Sequence, residues 1–287
     1  MKLERFRRNS YSIKECTVNV GILSDIHIDL EHPEPNRVIE GLVNVIEQRG
    51  VEIMIIAGDI ANDYERTLHT LHLIEELTEI RCLFVPGNHD IWNEKHPDKT
   101  SWEIYEALKA FSGNLVNNPV ALPNGWIVIG DIGWYDYSFG SSRYAIEQFD
   151  QMKIDDRVWQ DKIKTDWGKS TIEMHRYFFG KLETQLSAHR SRKIILVTHV
   201  LPLSDFTVQR PNRMWRYLNA FLGSKQYGEL ALKYSVAYSI SGHVHYRLQQ
   251  QCQNTVFICN CLNYASQWIE NDDPVSEVAR AFKTIKI

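Results

Sequence analysis

Three stretches of the chain read TVNVGILSDIH (residues 17–27), VEIMIIAGD (51–59) and RCLFVPGNHD (81–90). In each, a strand-length apolar run breaks at serine or glycine and delivers a carboxylate, an amide or an imidazole. Between them, residues 38–49 and 64–77 carry apolar side chains at helical spacing, the first ending at Gly50 in the expected stop position. The order strand, helix, strand, helix, strand at this spacing predicts a parallel sheet covered on both faces. Ligands in such sheets sit beyond the carboxyl ends of the strands. Asp25, His27, Asp59, Asn88 and His89 all fall there.

Outward from this unit the chain keeps the same grammar. A helix is expected at 102–111 and a strand at 126–129 ending at Gly130-Asp131. Residues 131–179 are crowded with aromatic and charged side chains and read as a lid-like excursion over the active face, part loop and part helix. A helix at 181–189 and a strand at 193–197 deliver His199. A second excursion spans 201–224, followed by a helix near 227–234 and a strand at 236–240 that delivers Gly242-His243-Val244-His245. Residues 247–253, 255–260 and 282–287 read as closing strands. No internal repeat or low-complexity tract interrupts this, so residues 1–287 are expected to form one α/β domain.

Composition narrows the function. The 32 basic against 36 acidic residues leave a formal charge of -4, which argues against a long polyanionic ligand such as nucleic acid without excluding a small phosphorylated one. No apolar run approaches the roughly 18 residues needed to cross a bilayer. The basic first ten residues are not followed by the apolar core of a signal peptide. Five cysteines, Cys16, Cys82, Cys252, Cys259 and Cys261, are an odd number in mostly apolar surroundings. They read as reduced, buried thiols, and the Cys259/Cys261 pair as sheet packing rather than a zinc site. A cytoplasmic protein is expected.

Hard cations select carboxylate and amide oxygen, whereas imidazole selects toward Mn, Fe, Zn, Co or Ni. The strand-end set mixes both kinds: two aspartates, one asparagine and four histidines. Two ions side by side need a bridging ligand, for which Asp59 at the end of the central strand is placed. Asp25 and His27, two residues apart, can converge on one ion, and His243 and His245 repeat that spacing. Gly58, Gly87 and Gly242 suit turns of tight backbone passage or positive φ.

These five blocks, DxH, GD, GNHD, a lone histidine at a strand end and GHxH, stand in the order that marks the calcineurin-like metallophosphoesterases, and the chain resembles that family from about residue 18 to 264. The resemblance implies a four-layer α/β/β/α sandwich with two central mixed sheets and a dinuclear metal site at the strand ends. It implies that Asp25, His27 and His245 hold one ion, that Asn88, His199 and His243 hold the other, and that Asp59 bridges. His89 would face the phosphoryl group and assist the leaving group, and Asp90 would support from behind. Many members carry an aspartate three residues after the bridging one. Here that place is Asn62, with Asp63 beside it, and either could orient His89.

The implied activity is hydrolysis of a small phosphodiester or phosphomonoester, nucleotide-like esters included, by a metal-bridging hydroxide, with two divalent or mixed-valence Mn, Fe or Zn ions. Arg143 and Arg213, with Arg210 and Arg216 nearby, are candidates to clamp a phosphate. Trp134 and Tyr135, with Tyr137 and Trp215, are candidates to stack on the substrate. A nuclease, and a non-catalytic binding protein on the same fold, are the competing readings.

Overall fold

The computed structural model describes residues 17–30, 34–210, 212–268 and 273–287; the expectation for Cys16 lies outside them. Strand β1 (Asn19–Leu23), helix α1 (Pro35–Gln48), β2 (Ile53–Ile56), α2 (Tyr64–Thr78) and β3 (Arg81–Phe84) form the anticipated alternating run. Helix α3 (Ser101–Ala107), β4 (Val120–Ala121) and β5 (Trp126–Asp131) then lead into a second sheet. The excursion after β5 contains α4 (Ile146–Asp150), a ribbon of β6 (Lys153–Ile154) and β7 (Arg157–Val158), and α5 (Asp161–Lys164). The chain returns through α6 (Thr171–Ala188), β8 (Lys193–Thr198), α7 (Arg213–Leu218), α8 (Lys225–Lys233) and β9 (Tyr238–Ser241). It closes with β10 (Arg247–Cys252), β11 (Thr255–Asn260), α9 (Pro274–Ala281) and β12 (Lys283–Lys286).

The first sheet has the order β12-β1-β2-β3 and the second β10-β11-β9-β8-β5-β4. Both are mixed, because β12, β10 and β4 pair antiparallel while the central strands run parallel. Strand alternation explains the stacking. Val20 and Ile22 of β1 and Ile55 of β2 pack against Val128, Ile195, Val197 and Ile240 of the second sheet. Leu23, Met54 and Ile56 face the other way, onto Val38, Leu42, Val45 and Ile46 of α1. On the far side, Ile194 and Leu196 pack with Leu182 and Leu186 of α6 and Leu230 of α8. Four layers result. The first sheet is thus covered on both faces, as its continuous apolar strands demand, but by helices on one face and a second sheet on the other.

The excursion after β5 ends earlier than the aromatic crowding suggests. Helix α6 begins at Thr171, about ten residues before the helix expected from periodicity. Ser170 and Glu173 close a reciprocal cap: Ser170 Oγ accepts from Glu173 N at 3.4 Å and the Glu173 carboxylate accepts from Ser170 N at 2.9 Å. Met174, Phe178, Leu182 and Leu186 then form a buried stripe at four-residue spacing. Tyr177 and Phe179 flank that stripe and obscure it in the sequence.

A charged knot seats α6 and α3 on the end of β5. Lys181 Nζ lies 2.6 Å from Asp131 Oδ2 and donates to the Tyr105 hydroxyl at 2.7 Å. That hydroxyl donates to Asp131 Oδ1, also at 2.7 Å. Since Asp131 is fully buried, Lys181→Met strands its charge and is expected to cost about 3 kcal/mol of stability. Urea unfolding of the variant against the parent protein measures this; a change within about 0.5 kcal/mol would show that the pair contributes little.

Candidate metal centre

The strand-end loops turn in an unusual way. Asp25, His27, Asp59, His243 and His245 all adopt positive φ, between 45° and 74°. The left-handed region is tolerated better by short polar residues than by branched ones. The turns after β1, β2 and β9 swing the i and i+2 side chains of Asp25/His27 and His243/His245 toward one point. Gly87 and Gly242 serve by close approach instead of by φ. A Cβ on Gly87 would lie 2.0 Å from Asp59 Oδ1, and one on Gly242 would lie 2.5 Å from Asp25 Oδ2.

Seven side chains converge in two groups. Asp25, His27 and His245 form one: His27 Nε2 lies 3.0 Å from His245 Nε2, which is 3.5 Å from Asp25 Oδ1. In the other, His199 Nε2 lies 3.0 Å from both His243 Nδ1 and Asn88 Oδ1. Asp59 stands between them, its Oδ2 being 3.2 Å from His199 Nε2 and 3.8 Å from His27 Nε2.

Carbonyl partners dictate which ring nitrogens face inward. His199 Nδ1 donates to Ala57 O at 2.8 Å, His243 Nε2 to Phe221 O at 3.1 Å and His245 Nδ1 to Gln267 Oε1 at 2.7 Å. The remaining nitrogen of each of these three rings, Nε2 of His199 and His245 and Nδ1 of His243, then faces the centre. Burial, with His199 beside it, pulls the His243 imidazole down to about 3, so it stays neutral. Burial also works against a charged His199, but the adjoining Asp59 carboxylate outweighs it and lifts that group to about 10. Burial pushes Asp59 itself up to about 6, with His199 pulling the other way. Two buried carboxylates thus draw a proton onto the one histidine nearest Asp59. A pair of divalent cations fits this donor set, with proton release on binding.

Behind this centre, Asp90 accepts five hydrogen bonds, from the backbone N–H groups of Asp59, Ile60, Ala61 and Gly87 and from Thr67 Oγ1. It locks two ligand loops together and is fully buried, away from the cleft. Asn62 and Asp63 part company. Asn62 Oδ1 lies 2.6 Å from His89 Nδ1. Asp63 instead caps α2 through Glu65 N and accepts from His96 Nε2 at 3.1 Å.

A cleft of about 280 Å³ opens over Asp59, Asn88, His89, His243 and His245. Its other walls include Trp92, Trp159, Trp215, Tyr264, Val208 and Leu222. Arg143 and Arg213 do not reach it: both are exposed, and Arg213 pairs with Asp155 at 3.3 Å. Arg210 and Arg216 are exposed as well. Trp134 and Tyr135 are buried and stacked on each other in the helix-side core instead of lining the cleft. Sequence reasoning missed Trp92, Trp159, Asp161, Tyr264 and Gln267. Only Trp92 had a signal, two residues beyond the GNHD block; the others arrive by tertiary folding.

Fold and centre together define a metal-dependent phosphoester hydrolase. The model of the calcineurin-like phosphoesterase family matches residues 18–247, and the chain belongs to that family. Among curated proteins it is similar to the uncharacterized protein L509 of Acanthamoeba polyphaga mimivirus, 20% identical over 228 residues, covering 75% of this chain and 79% of that one. Among solved structures, a phosphopantetheinyl hydrolase from Mycobacterium tuberculosis superposes with a TM-score of 0.76 at 15% identity, covering 94% of this chain and 96% of that one. A dimetal phosphatase from Danio rerio gives 0.52 at 11% identity, covering 84% and 86%. At these identities the structures share the fold. No helix among the described residues is long and apolar enough to cross a membrane.

The close approach at Gly87 gives a direct test. Gly87→Ala drives a methyl into Asp59 and is expected to abolish binding of at least one cation while leaving the far-ultraviolet circular dichroism unchanged. Metal content after reconstitution and desalting measures it; retention of full metal content would contradict the assigned geometry.

Proposed function

We propose that this protein hydrolyses a small phosphodiester, or secondarily a phosphomonoester, whose organic arm is uncharged and largely apolar. The observation that carries this reading is the juxtaposition of the seven-residue centre with an aromatic cleft. Asp25, His27 and His245 would hold one cation and Asn88, His199 and His243 the other, with Asp59 between them, and such cations would supply Lewis acidity and a nucleophile at neutral pH. Mn, Fe and Zn all suit these ligands.

The residues of the chain do the rest. His89 Nδ1 donates to Asn62 Oδ1, which leaves Nε2 as the atom that handles the leaving-group oxygen. Donation from Nε2 requires the imidazolium. Burial, followed by the neighbouring histidines, pulls His89 well below its ordinary value, and a neutral Asn62 does little to oppose this. His89 is therefore a strong acid held ready at low occupancy.

Trp159, Trp215, Trp92 and Tyr264 exclude water and take the arm. Among the described residues lining the cleft there is no lysine or arginine, so a second phosphate on the arm would be desolvated without a counter-charge. That disfavours nucleoside polyphosphates and long nucleic acids. A phosphopantetheinyl ester, of the kind the mycobacterial protein's name gives, suits the cleft and belongs in the first assay. The free thiols Cys82, Cys252, Cys259 and Cys261 suit a reducing compartment, and we place the protein in the cytoplasm.

A phosphoester panel on Mn-reconstituted protein tests this. Metal-dependent turnover is expected on diesters with uncharged arms, with weaker turnover of dinucleotides and none of single- or double-stranded DNA or RNA. Cleavage of nucleic acid would favour a nuclease, and absence of any metal-dependent hydrolysis would favour the non-catalytic reading. A second outcome concerns Asn62→Asp. A carboxylate against Nδ1–H stabilises the imidazolium and raises the His89 pKa. Because the acid acts protonated, activity falls as pH rises through that pKa, so the alkaline limb of the pH–rate profile is expected to move to higher pH. An unmoved limb would remove His89 as the acid.

A further inference from the structure

Asp161 lies at the start of α5, in a region where the sequence offers no ligand or acid motif. Its side chain is buried, and four hydrogen bonds converge on it. Oδ1 accepts from Asn88 Nδ2 at 2.8 Å and from Trp92 Nε1 at 2.7 Å. Oδ2 accepts from Trp159 Nε1 at 2.9 Å and from the Tyr135 hydroxyl at 3.2 Å. A carboxylate has about four acceptor sites, and all are filled by uncharged donors.

The consequence falls on Asn88 first. An amide offers oxygen on one side and N–H2 on the other, and rotation exchanges them. With Nδ2 tied to a carboxylate, Oδ1 must face the opposite way, where it lies 3.0 Å from His199 Nε2. The rotated amide would set oxygen against oxygen in a buried site and strand two donors. The same Asp161 oxygen holds the Trp92 indole, whose ring lies on the His89 imidazole with centroids 3.6 Å apart and planes at 32°. His89 is thereby fixed on two sides, by Trp92 on its face and by Asn62 at Nδ1.

We infer that Asp161 is a positioning residue that presents the Asn88 carbonyl oxygen to the second cation and seats Trp92 against His89. It acts through Asn88 and Trp92, to which its Oδ1 is bonded. The inference rests on the metal-centre reading above and gives the aromatic excursion two roles, since it walls the cleft and also sets a ligand and the acid.

A double-variant cycle, read by Mn2+ titration of the metal-free full-length protein, tests it. The parent protein is expected to take two ions. Asp161→Asn, which can turn N–H2 toward N–H2, is expected to weaken one of the two sites by about 10- to 100-fold and leave the other unchanged. Adding Asn88→Asp exchanges donor and acceptor, so it should recover the weakened site. The same Asn88→Asp change in the parent, where two carboxylates face each other, should help less or harm. Equal effects of Asn88→Asp in both backgrounds, or parallel weakening of both sites together with the melting temperature, would overturn the inference. Should Asp161→Asn not fold, Trp92→Phe deletes one N–H and keeps the packing. Metal binding should persist while turnover of alkyl esters falls more than that of activated aryl esters, and equal losses on both would overturn the seating of His89. A parent protein that binds no Mn2+ would instead sink the metal-centre reading itself.

Discussion

The structure turns on the burial of Asp25 and Asp59 where the two sheets end. An ionised carboxylate taken out of water costs several kcal/mol unless positive charge and hydrogen bonds compensate it. Here the backbone supplies part: His243 N donates to Asp25 at 3.0 Å and His89 N to Asp59 at 2.9 Å. Histidine supplies another part through His199. Cations would supply the remainder, and the backbone turns at the candidate ligands leave room for them. The left-handed residues aim the ligands, and the two glycines let carboxylate oxygens lie against backbone.

Buried aspartates elsewhere in the molecule divide the labour of keeping this arrangement rigid. Asp90 gathers backbone N–H groups and binds the β2 loop to the β3 loop. Asp161 gathers side-chain donors and ties the excursion to Asn88 and Trp92. Asp131, with Lys181 and Tyr105, fastens α6 and α3 beneath the excursion. Asp90 and Asp161 are satisfied by many fixed donors and Asp131 by Tyr105 and the Lys181 ion pair, so each trades desolvation for a single geometry.

The strand-end cluster and the walls of the cleft come from different parts of the chain. The hydrolytic centre is built from strand-end loops on the two packed sheets, whereas the walls come from Trp92, Trp159, Trp215 and Tyr264 in the intervening segments. Loops can change walls without disturbing strands. The strand-end cluster and the aromatic cleft above it therefore belong to separate stretches of the chain.

How much was legible follows from where each signal lives. The two-sheet architecture, and the meeting of the seven candidate ligands and His89 at its edge, could be read because strand ends are local: an apolar run, a break and a polar residue lie within about ten positions of each other. Helix α6 was legible in principle, through the Ser170–Glu173 cap, but the aromatic neighbours masked its stripe. The choice between Asn62 and Asp63 could not be read, since adjacent residues point to opposite places: one to His89, the other to the cap of α2. Arg143 and Arg213 looked like phosphate clamps by charge alone and proved to be exposed, while Asp161, with no motif around it, sits at the centre of four donors. The sequence by itself determined which atoms could bind metal, because ligand type and spacing are covalent properties. Only the tertiary structure decided which side chains stand behind and around them, because those meet across long stretches of chain and are selected by burial.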